Sequence, residues 1–209
     1  MGKKIIYSDI LKASWRRLLK QFWLLVGLMI GFTIIYSLLY IFAMPAKGGT
    51  VTVSGFIISL LITVLGIIFT MGYMKNCFQT IDGEEPQFSA YGQVSRKFFT
   101  FWFAGIILSV IVVIGLFLLV LPGIYMIIRL RYYGAAIVDE DAGIIESLKR
   151  SWQITKGQEL PLFIILLIII GIICIGTIAL IVGIFVAAPY IMLIDCVTFR
   201  KLTAPAATD

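Results

Sequence analysis

Residues 160–200 read "LPLFIILLIIIGIICIGTIALIVGIFVAAPYIMLIDCVTFR", about 40 positions without a polar loop. A helix crossing about 30 Å of hydrocarbon needs about 20 apolar residues. This run therefore holds two crossings, 160–181 and 184–199, with a tight turn near Gly183. Residues 22–43 and 55–76 meet the same requirement and are joined by "MPAKGGTVTVS". Residues 100–121 form a further span, ending at a turn made by Leu121, Pro122 and Gly123. The composition agrees: 61% of residues are apolar and 13% charged, against about 45–50% and about 25% in ordinary soluble domains. Lipid must replace water as the solvent, and one helical membrane domain is expected over residues 1–201, followed by a disordered tail at 202–209.

The stretch 124–138 decides the topology. As helix its 15 residues reach only about 22 Å, and it contains Arg129 and Arg131. Without it there are five crossings, and the basic residues divide nine to eight between the two faces. If it crosses there are six. Fourteen Lys and Arg then share one face, Lys47 stands alone on the other, and the two arginines lie within the membrane. Insertion keeps Lys and Arg on the cytoplasmic side, so the sequence predicts six spans with both termini cytoplasmic.

The spans fall in pairs, each preceded by a short basic segment. "DILKASWRRLLKQFW" precedes the first pair and "IIESLKRSWQITKGQ" the third, sharing Leu-Lys-x-Ser-Trp at residues 11–15 and 148–152. "FSAYGQVSRKFFTFW" precedes the second. Gly123-Ile124-Tyr125 and Gly183-Ile184-Phe185 open the second members of the last two pairs alike. The expected fold is all-α, as three parallel repeats of an amphipathic helix (8–20, 88–98 and 143–156) followed by a transmembrane hairpin. Lys12, Trp15, Arg16, Arg17 and Lys20 on the first helix, Arg96 and Lys97 on the second, and Lys149, Arg150 and Trp152 on the third are the candidate lipid-surface contacts. Such helices lie in the headgroup layer with cations on anionic lipid. Either they only anchor the bundle, or they recognise anionic lipid specifically.

The two arginines must find water, phosphate or a carboxylate, because a charge deep in a bilayer is costly. Spaced two residues apart they leave opposite faces of a helix. Asp195 is the one acid inside another span. One reading pairs it with Arg131 and turns Arg129 inward with Tyr125 and Tyr133, at i±4 on its face. The other has both arginines snorkel to cytoplasmic headgroups. The acidic turns Asp82–Glu85 and Asp139–Asp141 read as turn and capping sites. No histidine is present, and Cys77, Cys174 and Cys196 are scattered. No catalytic constellation, metal site or cofactor is expected.

Residues 121–157, "LPGIYMIIRLRYYGAAIVDEDAGIIESLKRSWQITKG", resemble the signature of a broad group of bacterial multi-pass membrane proteins. That group includes the membrane domain attached to some glycerophosphoryl diester phosphodiesterases. The resemblance implies the bacterial cytoplasmic (inner) membrane and an association with lipid or envelope metabolism. It does not bring the hydrolase, whose barrel, histidines and metal-binding acids have no counterpart here. The expected function is a non-catalytic, lipid-contacting scaffold or accessory factor. Its expected partners are membrane lipids with anionic headgroups, and a protein partner or second copy, with no nucleic acid. The alternative is a small permease or lipid transporter with an anion or headgroup path at Arg129. An intramembrane enzyme ranks third, for want of a nucleophile and base.

Overall fold

The computed structural model describes residues 6–43 and 53–204, of which residues 180–182 are described by backbone alone. The loop carrying Lys47 and the last five residues lie outside the described residues. Among the described residues all regular structure is helical. The helices are α1 (Tyr7–Lys20), α2 (Phe22–Ala43), α3 (Val53–Asp82), α4 (Ser89–Ser95), α5 (Phe98–Leu118), α6 (Val120–Leu130), α7 (Tyr133–Glu140), α8 (Ile144–Ile154), α9 (Glu159–Ile178) and α10 (Leu180–Thr203). Five helices are long and apolar enough to cross a membrane: α2, α3, α5, α9, and α10 from Gly183 onward.

The predicted 124–138 span is not one helix. The chain leaves α5 through Leu119 in an extended conformation, forms α6, bends at Arg131 and Tyr132, and resumes as α7. The two pieces run back along α5. A Cβ on Gly115 would lie 3.0 Å from the Gly123 Cα, the Tyr133 ring packs 5.5 Å from Phe101, and Lys97 Nζ donates to the Ile137 carbonyl. Lys97 also pairs with Asp141. The segment thus returns along α5 from its last turn to the residue before its first.

Both predicted turns fall earlier in the chain. The chain reverses at Leu119 rather than at Leu121, Pro122 and Gly123, and at Ala179 rather than at Gly183. Pro122 falls in the first turn of α6, where its missing N–H leaves no bond unmade. The glycines instead let paired helices touch. A Cβ on Gly183 would run into the Gly176 carbonyl oxygen, and one on Gly123 into Leu116. At the other ends, α3 extends past its predicted limit of 76 to Asp82, α4 is only seven residues long, and α10 runs two residues into the expected tail.

The centre of the core lies where α3, α7 and α10 meet. Met71, Tyr73, Cys77 and Phe78 of α3 are buried against Tyr132 and Ala135–Val138 of the bend and α7, and against Leu193, Ile194, Val197 and Phe199 of α10. Each short helix docks onto the second arm of the hairpin before it. Thus α4 packs on α3 and α8 on α7, while α1 closes the set by packing on α10. These contacts gather α1, α4 and α8 at one end of the molecule, here the basic end. Toward the other end the hairpins present apolar surface all round. Residues 34–38 of α2 are all exposed, which at 100° per residue covers every face.

Candidate functional site

Arg129 and Arg131 flank the end of α6, and the bend sends them to different partners. Arg131 grips Asp195 of α10 with both prongs, Nε to Oδ1 at 2.9 Å and Nη2 to Oδ2 at 2.8 Å. This parallel two-bond geometry is the strong form of an ion pair. Arg129 is 2% exposed and turns toward α8 and α9. Its Nη1 donates to Glu159 Oε1 at 3.0 Å, and its guanidinium lies 4.2 Å from the Trp152 ring centroid and 5.8 Å from that of Tyr125. The aromatic faces stabilise a cation held away from water. Tyr133 does not join Arg129: the bend turns it toward Phe101 and Gly105.

A break between α6 and α7 strands backbone groups, and buried backbone groups need partners. Helix α8 supplies the partners. Ser151 Oγ donates to the Arg129 carbonyl at 2.8 Å and accepts from the Tyr132 N–H at 3.1 Å. Thr155 Oγ1 lies 3.2 Å from the same carbonyl. The Leu-Lys-x-Ser-Trp motif therefore acts as a clasp: its serine closes the helix break and its tryptophan covers Arg129. Ser151→Ala would orphan the buried Tyr132 N–H and is expected to cost about 2 kcal/mol, read as a lower thermal midpoint in detergent.

The first copy of the motif docks in parallel. Trp15 meets Tyr190 of α10 edge to face at 5.3 Å and 83°, as Trp152 meets Tyr125 at 5.9 Å and 86°. Tyr190 Oη donates to the Leu11 carbonyl. Tyr91 of α4 plays a related part on α3, beside Gly72 and Phe69.

The expected lipid-surface cations divide. Lys97 is spent on Asp141 and the Ile137 carbonyl, and Arg150 on Glu140 through two bonds at 2.7 and 2.8 Å. Among the described residues, Lys12, Arg16, Arg17, Lys20, Arg96 and Lys149 make no ion pair. All but the half-buried Arg17 are exposed. Trp152 lies over Arg129 and keeps 37% exposure.

The acidic turns do more than cap. Arg200 near the end of α10 bridges Asp82 at 2.7 Å and Asp139 at 3.0 Å, joining the ends of α3, α7 and α10, with Phe78 5.2 Å beneath its guanidinium. Burial raises the Asp139 carboxyl above its usual range, and Arg200 opposes the shift. The sequence reading missed Glu159, Ser151, Thr155 and the Arg200 bridge. Two signals were present. Ile144, Leu148, Ser151 and Thr155 fall on one helical face at spacings of 4, 3 and 4, placing hydroxyls among apolar residues. Glu159 is an acid at the very edge of an apolar run.

Of the curated proteins and solved structures compared with the chain, none matches it. Residues 45–208 match the family described as "Domain of unknown function (DUF7847)". That region begins in the loop after α2 and takes in all of α3 to α10, so both arginines, their carboxylate partners and the Ser151 clasp lie within it. The chain belongs to the DUF7847 family.

Proposed function

We propose that the protein is a non-catalytic, six-span scaffold or accessory factor of the cytoplasmic membrane that works through contact with anionic lipid and associates with lipid or envelope metabolism. The observation that carries this reading is the fate of the intramembrane charges. Arg129 and Arg131 are both committed to carboxylates of neighbouring helices, Glu159 and Asp195, and Trp152 lies over Arg129. A transport path at Arg129 would need that cation open to a ligand. Meanwhile four cations without ion pairs among the described residues, Lys12, Arg16, Arg17 and Lys20, lie on α1, and polybasic helices of this kind meet anionic headgroups. The return of α6 and α7 along α5 supports the sixth crossing, and the cyclic docking of α1, α4 and α8 supports three repeats.

One experiment has two arms. In a variant with the native cysteines replaced, a cysteine at Lys149 should react only with reagents reaching the cytoplasmic side; labelling from outside would overturn the six-span topology. Reconstituted protein should show a higher thermal midpoint in phosphatidylglycerol than in phosphatidylcholine and should not accelerate release of anions or lipid flip. Flux above that of empty vesicles would favour the permease reading instead.

A further inference from the structure

A groove of about 570 Å³ runs along the first half of α2, between α2, α3 and α4. Its lining is almost entirely apolar. Phe32 of α2 stacks on Phe69 of α3 at 3.7 Å, and Phe69 stacks in turn on Tyr91 of α4 at 5.9 Å, giving a rigid aromatic wall. The opposite strip is bare: a Cβ on Gly27 or Gly31 would meet nothing within 4 Å. Trp23 and Phe88, 86% and 81% exposed, project at the basic end of the groove.

We infer that this groove holds one acyl chain of an anionic phospholipid from the leaflet at the basic end, with the headgroup on Arg16 and Lys20. The inference rests on the proposed lipid-contacting function and gives that contact a defined place. Lys20 stands three residues before Trp23, with only Gln21 separating α1 from α2, and Arg16 is one turn earlier on α1. Both cations are exposed and, among the described residues, have no acidic partner. An apolar channel in lipid with unneutralised cations beside its aromatic mouth matches an amphiphile with a negative head. A second copy of the chain fits less well. Gly27 and Gly31, four residues apart, do form the kind of small-residue strip through which helices pack, but Trp23 and Phe88, 86% and 81% exposed, stand out from the walls and obstruct the approach of a helix about 10 Å across.

The test uses full-length protein in nanodiscs containing phosphatidylglycerol, or phosphatidylcholine, with a photoreactive diazirine in the acyl chain, and maps the labelled residues by mass spectrometry. Phosphatidylglycerol should label the 24–32 segment more heavily than the lipid-facing 106–114 segment of α5. Gly27→Leu with Gly31→Leu should lower groove labelling about tenfold, leaving α5 labelling and the thermal midpoint in phosphatidylcholine unchanged, because the new side chains enter open space. Arg16→Gln with Lys20→Gln should abolish the preference for phosphatidylglycerol over phosphatidylcholine in the groove. Equal labelling of groove and α5, insensitive to the leucines, would mean ordinary annular lipid and would overturn the site. A wild-type dimer that the leucines convert to monomer would assign the groove to a second copy and overturn it equally. The two proposals fail separately: the scaffold reading falls if reconstituted protein moves anions or lipid, the groove if its labelling ignores the leucines.

Discussion

Asp195→Ala is expected to destabilise the bundle by about 3 kcal/mol, the low end of what removing one partner from a buried ion pair costs. The loss would be large because Arg131 cannot be neutralised by deprotonation, and its two bonds to Asp195 at 2.9 and 2.8 Å join the α6–α7 bend to α10. Both side chains keep 23% exposure, enough for some water to reach them, which argues against the upper end of the range. Arg131→Asp would fare worse, since it places two carboxylates face to face. The double swap, Arg131→Asp with Asp195→Arg, should recover most of the lost midpoint. Arg131→Lys should recover only part of the wild-type stability, because a lysine offers a point charge where the site is built for a planar fork. Thermal unfolding in detergent, followed by retention of the soluble peak, measures all four. A swap no better than the single variants would show that the pair does not bridge the helices.

The second large effect separates structure from function at Arg129. Glu159→Ala would leave Arg129 buried with only the Trp152 and Tyr125 faces around it, and should cost about 2 to 3 kcal/mol. Arg129→Met with Glu159→Gln removes both charges and should stay within about 1 kcal/mol of wild type, as apolar replacements of buried pairs often do. The lost contact with Trp152, at 4.2 Å, sets a small penalty against the desolvation gained. The thermal midpoint in phosphatidylglycerol should be kept by this double variant if Arg129 only ties α6 to α9. Loss of lipid-dependent stabilisation, or of any reconstituted transport, in a folded Arg129→Met/Glu159→Gln protein would assign the cation a ligand.

Much of the architecture is legible from one dimension because the governing terms are local. The spans at 22–43, 55–76, 100–121 and within 160–199 follow from runs of apolar residues whose transfer to lipid depends on composition alone. That Arg129 and Arg131 take different partners agrees with helical pitch, which separates residues two apart, although the bend after Leu130 chooses the partners. The turns are less legible. Pro122, Gly123 and Gly183 look like reversals, yet the reversals fall at Leu119 and Ala179, because small residues serve two purposes that spacing does not separate: bending a chain, and admitting a neighbouring helix.

The chain by itself determined its strongly apolar character, the positions of its long apolar helices, the short basic segments ahead of α2, α5 and α9, and the need of its buried arginines for partners. Which partners they take was decided in three dimensions. Glu159 is 30 residues from Arg129 and Asp195 is 64 from Arg131. Whether such groups meet depends on how α9 and α10 pack beside the bend. The bend itself exists because Ser151 and Thr155 arrive from another helix to take the backbone bonds it gives up. No local propensity encodes that exchange, since its two halves become favourable only together.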